Sequence, residues 1–106
     1  MEVRKISDDI LGKVVVSKSG RDQGKAFIVV RVVNERYLSI SDGDLRKIEK
    51  PKKKNIRHLQ ITSQRADDIL DYLHRGEMPA NHVIKKSIKQ IVDKGLIRGE
   101  GGLVSG

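Results

Sequence analysis

Residues 12–33 read GKVVVSKSGRDQGKAFIVVRVV. Two runs rich in β-branched residues flank a polar segment that begins at Gly20 and ends at Gly24. An apolar run alone fits a buried helix as well as a strand, but β-branched enrichment and a glycine-bounded turn favour strands. The stretch therefore predicts a β-hairpin. Its second strand, Lys25–Val33, is apolar on both faces, which suits the long curved strand of a small closed barrel.

Three further strands are predicted after this hairpin, with turn residues between them. They are Tyr37–Ser41, Arg46–Lys50 and Leu59–Thr62. Asp42-Gly43 is a strong hairpin signal, and Pro51 ends the fourth strand because proline supplies no N–H to the ladder. Five short strands at this spacing predict a mainly β fold, an SH3-like barrel over residues 1–62.

The apolar period becomes helical after residue 62. One stripe contains Ala66, Ile69, Leu70 and Leu73, and a second contains Val83, Ile84, Ile88, Ile91 and Val92. Thr62 or Ser63 is the expected cap of the first helix, and Asn81 that of the second. Gly76 and Gly95 are the expected stop signals. We therefore expect a helical hairpin over residues 63–98, packed on itself or on the barrel, and a flexible glycine-rich tail over residues 99–106.

Positive charge is concentrated in the predicted barrel. The chain has 22 Lys and Arg against 14 Asp and Glu, a formal charge of +8. Residues 1–62 contain 15 basic and 8 acidic residues, whereas residues 63–106 contain 7 and 6. A basic surface confined to one module is typical of a polyanion binder, although small basic proteins can also carry such charge for solubility alone.

Two segments contain the candidate binding residues. The hairpin turn supplies Lys18, Arg21, Gly24 and Lys25, with Gly24 shaping the turn and the cations contacting phosphate. Residues 46–57 supply Arg46, Lys47, Lys50, Lys52, Lys53, Lys54 and Arg57, which only Glu49 offsets. We expect the stretch from Lys50 to Arg57 to be a basic loop tied down at both ends, which loses less entropy on binding than a free arm. The alternative is an ordinary solvated loop.

The same residues carry a resemblance to a known family. The hairpin is similar to the start of the KOW motif, an RNA-binding hairpin of ribosomal proteins and elongation factors. The Asp42-Gly43 turn, Leu45-Arg46, the lysine run and Asn55–Leu59 resemble a bacterial KOW-domain family that is similar to the fourteen-e large-subunit ribosomal protein of archaea and eukaryotes. The resemblance covers residues 11–62. It implies RNA binding more firmly than it implies a place in the ribosome.

The expected function is non-catalytic binding of structured RNA, with ribosomal RNA as the partner and a ribosome-associated or assembly role. Phe27, Tyr37 and Tyr72 are too few and scattered to form a stacking platform for single strands. One alternative is an adaptor that binds proteins of the transcription or translation machinery. Another is non-specific binding of DNA.

Other classes of function have little support in the sequence. The chain lacks cysteine, and His58, His74 and His82 are not spaced as metal ligands, so we expect no metal and no cofactor. Without a catalytic constellation we expect no enzyme and no small-molecule substrate. The sequence shows neither a signal-peptide pattern nor an apolar run of transmembrane length. We therefore expect a cytoplasmic protein that does not contact the membrane.

Overall fold

The computed structural model describes residues 10–95, which form one antiparallel sheet of five strands followed by two helices. The strands are β1 (Lys13–Ser17), β2 (Ala26–Val32), β3 (Tyr37–Ser41), β4 (Lys52–Asn55) and β5 (Leu59–Arg65), and the helices are α1 (Asp67–His74) and α2 (Asn81–Asp93). A mainly β fold with a C-terminal helical pair is therefore confirmed. The predicted tail, residues 99–106, lies outside the described residues.

The sheet curls because its two edge strands are consecutive in the chain. Its order is β4-β3-β2-β1-β5, and a three-residue 3₁₀ turn, Ile56–His58, separates β4 from β5. One continuous segment thus pairs with β3 at its start and with β1 at its end. The short turn brings the two edges to one corner, so the sheet wraps around its inner face as in a small barrel.

Apolar clusters cover both faces of the sheet. The inner cluster contains Ile10, Val15, Phe27, Val29, Leu38, Ile40 and Leu59. The outer cluster contains Val14, Val16, Ile28, Ile48, Ala66, Ile69 and Ile84. Alternate residues of a strand point to opposite faces, so Val15 enters the inner cluster while Val14 and Val16 enter the outer one. This double coverage explains the unbroken valine run of β1.

The helices form an outer layer, and they pack on each other as well as on the sheet. Ile69 of α1 and Ile84 of α2 are fully buried in the outer cluster. The hydroxyl of Ser87 on α2 also donates to Asp68 Oδ2 on α1, at 2.8 Å. Both packing arrangements that the sequence left open therefore occur together.

The predicted helix caps are wrong, whereas the predicted helix ends are confirmed. β5 continues to Arg65, so Ala66 is the N-cap of α1, and the Thr62 hydroxyl donates to the Val14 carbonyl oxygen at 2.7 Å instead. Asn81 is the first residue of α2 and makes no cap bond. Both helices end just before a glycine of positive φ, as predicted.

The predicted fourth strand, Arg46–Lys50, is also wrong. These residues form a turn, and β4 begins two residues later, after Pro51. The N–H of Ile48 donates to the Asn81 side-chain oxygen at 2.8 Å rather than to a neighbouring strand, and the Ile48 side chain enters the outer cluster. The lysine run that we predicted to lie in a loop is therefore the edge strand β4, paired with β3.

Candidate nucleic-acid interface

The β1–β2 loop, Lys18–Lys25, is a closed hairpin turn. The Gly24 N–H donates to the Ser17 carbonyl oxygen at 2.8 Å, and the Ser17 N–H donates to the Lys25 carbonyl oxygen at 3.0 Å. Gly24 has a φ of +87°, a conformation that L side chains rarely adopt. The predicted need for glycine at this position is therefore confirmed. Lys18, Arg21 and Lys25 are all exposed around the turn.

The three lysines of β4 point to two different faces. Lys52 and Lys54 pair with Ile40 and Leu38 of β3, so they share the inner face and are half-buried. Half-buried lysines typically lay their stems along apolar surface while the ammonium group reaches a polar partner, as Lys54 Nζ does at the Ser19 carbonyl oxygen. Lys53 lies on the outer face, with Nζ 5.1 Å from the centroid of the Tyr37 ring. The lysine run thus presents positive charge on both faces of β4.

Three contacts join the β1–β2 loop to the second basic segment, residues 46–57, and to the residue that follows it, His58. Lys54 Nζ donates to the Ser19 carbonyl oxygen at 3.2 Å. The Lys18 N–H donates to the His58 carbonyl oxygen at 2.8 Å. Arg46 donates from Nη2 and Nε to Asp22 Oδ2, at 3.0 and 3.3 Å. Local sequence patterns do not predict these contacts, which make one connected surface from the two candidate segments.

A basic cleft opens beside this junction, with a volume of about 630 Å³. It is lined by Leu45, Arg46, Lys47, Lys50, Pro51, Lys52 and Lys53. Five of these seven residues are cations, and no carboxylate is among them. Glu49, the one acid of residues 46–57, lines a separate cavity with Val30 and Leu73. The Asn81 amide donates to Glu49 Oε1 at 2.8 Å, and this hydrogen bond lowers the pKa of the Glu49 carboxyl.

The predicted cations differ in whether a carboxylate neutralises them. Arg46 pairs with Asp22, a partner that the sequence analysis missed and that only its place in a basic loop could have signalled. Within residues 10–95 the other nine make no ion pair with an acid. They are Lys18, Arg21, Lys25, Lys47, Lys50, Lys52, Lys53, Lys54 and Arg57. Among the described residues, this surface therefore has nine cations that no carboxylate neutralises.

Neither a candidate metal cluster nor a candidate membrane-spanning helix is found among residues 10–95. No group of three His, Asp or Glu side chains there is arranged to hold a metal ion. Of residues 10–95, neither the 8-residue α1 nor the 13-residue α2 has the length and apolar character to cross a membrane.

The chain matches no protein-family model and no curated protein sequence. The KOW resemblance therefore stays a prediction that rests on the residues quoted for it.

Proposed function

We propose that this protein binds structured RNA without catalysis, by contacts to the phosphate backbone, with ribosomal RNA as the expected partner. The observation that carries the proposal is the basic cleft, where five cations and no acid line one concave surface. Four of the five, all but Arg46, make no ion pair within residues 10–95, so they repel one another, and a polyanion relieves that repulsion. The β1–β2 loop extends the same surface with Lys18, Arg21 and Lys25.

Protection of the sheet edge is a simpler explanation for part of this charge. Lysines on an edge strand prevent pairing with other chains, and β4 is an edge strand. That explanation accounts for the β4 lysines alone. It does not account for Arg46, Lys47 and Lys50, which precede the strand and line the same cleft. Phosphate binding explains both groups together.

The aromatic residues favour phosphate contact over base stacking. Phe27 is fully buried in the inner cluster. Tyr72 lies on α1, where the Arg75 guanidinium is 5.2 Å from its ring centroid. Tyr37 is half-buried and has Lys53 over its ring. Because bases need open ring faces on which to stack, folded RNA read by its backbone suits this surface better than an unpaired strand.

Two triple substitutions with the same charge change test the proposal. Lys47→Gln, Lys50→Gln and Lys53→Gln together remove three exposed cations of the cleft and leave the Lys54–Ser19 hydrogen bond intact. The control changes Lys85, Lys86 and Lys89 of α2, which are also exposed, to Gln. We expect the cleft variant to fold within about 1 kcal/mol of the parent. For binding to ribosomal RNA fragments, we expect the slope of log K against log salt to be roughly two to three units less negative in the cleft variant than in the parent. The slope of the control variant should stay close to that of the parent.

Each alternative outcome has a distinct meaning. Equal losses in the two triple variants would show that net charge matters and the cleft does not. A parent protein that fails to bind RNA at low salt would refute the proposal. Equal affinity for duplex DNA and ribosomal RNA at matched salt would support the DNA alternative instead.

One observation favours the adaptor as a second candidate. A groove of about 450 Å³ runs between the β1–β2 loop, residues 42–45 and α2. Leu45, which is 63% exposed, lies there beside Ile88 and Val92. Val92 lines this groove but not the basic cleft. An adaptor function predicts that Val92→Ser abolishes binding to ribosomal or transcription proteins and leaves RNA affinity unchanged. If no such protein binds the parent, the adaptor hypothesis fails.

A further inference from the structure

Asp22 is a buried carboxylate within the proposed RNA-binding surface. It is 7% exposed, whereas its neighbours in the loop, Arg21 and Gln23, are exposed. A negative charge at this place opposes the binding of a polyanion by simple electrostatics. Its presence therefore calls for a role other than direct contact with RNA.

The contacts of Asp22 point to Arg46. Asp22 Oδ2 accepts from both Nε and Nη2 of Arg46, which lies 24 residues further along the chain. The backbone of Arg46 is fixed as well, because its N–H donates to Asp42 Oδ1 at 2.8 Å and its carbonyl accepts from the Ser41 hydroxyl at 2.6 Å. A guanidinium has five N–H donors, so three remain after these two bonds to Asp22. The side chain is 32% exposed and lines the basic cleft.

We infer that Asp22 is a positioning residue for RNA binding, an inference that rests on the proposed function. It holds the Arg46 guanidinium at the wall of the cleft, with the remaining N–H groups available to a backbone phosphate. The same pair ties the β1–β2 loop to the cleft, so RNA meets one preformed surface. Binding then loses less side-chain and loop entropy than it does on a surface whose parts move independently. The planar guanidinium suits this role, because it can bind a carboxylate and a phosphate with separate edges.

Asp22→Asn and Asp44→Asn form a matched pair for the test. Each raises the net charge by one. Asp44 directly precedes Leu45, which lines the cleft, but Asp44 is 60% exposed and its ion pair with Lys85 is long, at 3.8 Å. Pure electrostatics predicts equal or tighter RNA binding for both variants. Positioning predicts that Asp22→Asn binds a labelled ribosomal RNA hairpin about three- to tenfold more weakly than the parent, while Asp44→Asn does not weaken binding. If Asp22→Asn binds as tightly as Asp44→Asn, the inference is wrong.

Two further measurements keep the inference testable if Asp22→Asn does not fold. Arg46→Lys retains the charge but loses the two-donor geometry, so we expect a similar loss of affinity at unchanged net charge. Affinity equal to the parent would overturn the inference. The second measurement needs no RNA. If the Asp22–Arg46 pair holds the β1–β2 loop, amide hydrogen exchange of Gly24 and Lys25 is faster in Arg46→Lys than in the parent. Unchanged exchange would show that the pair does not hold the loop. Failure of the proposed function is seen separately, as a parent that does not bind the hairpin, and it removes this inference too.

Discussion

Gly43→Ala tests how the β3–β4 connection is seated against α2. Gly43 has a φ of +75°, and a Cβ added there would collide with the Asn81 carbonyl oxygen. The same Cβ would lie 3.1 Å from the Asn81 carbonyl carbon and from the Lys85 backbone nitrogen. All three atoms belong to the backbone of α2, so no flexible side chain can swing aside. Gly76 is a matched control, because it has a φ of +73° but a Cβ added there would meet no atom within 4 Å.

The two substitutions share one cost and differ in the other. Placing an L residue in the left-handed region costs about 1–2 kcal/mol at either position. Overpacking against a rigid neighbour adds about 1–3 kcal/mol at Gly43 alone. We therefore expect Gly43→Ala to lose about 2–5 kcal/mol of unfolding free energy and Gly76→Ala about 1–2 kcal/mol. The larger loss is a substantial part of the roughly 5–15 kcal/mol typical of small domains.

Urea unfolding followed by circular dichroism measures the difference directly. The midpoint of Gly43→Ala should fall well below that of Gly76→Ala, with similar m values for the two variants. Asp42, next to Gly43, also fixes the backbone of Arg46. We therefore expect Gly43→Ala to weaken RNA binding and Gly76→Ala to leave it unchanged. Equal losses of stability would refute the reasoning, since they would show that this loop does not pack against the start of α2.

Three other substitutions follow from single features of the structure. Gly24→Val forces a β-branched residue to a φ of +87°, so we expect the free energy of unfolding in urea to fall by about 1–3 kcal/mol and RNA binding to weaken. Parent-like stability and RNA affinity would contradict the inferred strain in this turn. Ile84→Ala removes a fully buried side chain of the outer cluster and should lower the free energy of unfolding by about 2–5 kcal/mol. Leu45→Ala, at an exposed position, should lower it by less than about 0.5 kcal/mol. Similar urea midpoints for the two variants would contradict the packing of α2 on the sheet. Asn81→Ala removes the hydrogen bond that lowers the pKa of Glu49, so NMR titration should show that pKa rising toward its ordinary value. In the parent, the stabilisation from this hydrogen bond is present above the ordinary pKa of a glutamate and is lost as the pH falls through the lowered pKa of Glu49. An unchanged Glu49 pKa in Asn81→Ala would show that Asn81 is not the cause of the shift.

The identity of β1, β2, β3 and both helices could be predicted from the sequence because their signals are local. The valine run beside a glycine turn favours strand, and apolar residues every three or four positions favour helix, whatever the rest of the chain does. The helix ends at Gly76 and Gly95 were predictable for the same reason, since only glycine adopts positive φ at little cost. The candidate cations were also evident, because charge density is a property of composition.

The position of β4 and the arrangement of the site were decided by contacts between distant residues. Lysines have low strand propensity, but Lys52–Asn55 form a strand because β3 offers an unpaired edge. Ile48 alternates with polar neighbours as in a strand, yet its N–H bonds to Asn81, 33 residues away. Asp22 resembles an ordinary loop acid until the fold places Arg46 against it. Local patterns reflect the preferences of a few neighbouring residues, whereas these positions depend on partners that only the folded chain brings within hydrogen-bonding distance.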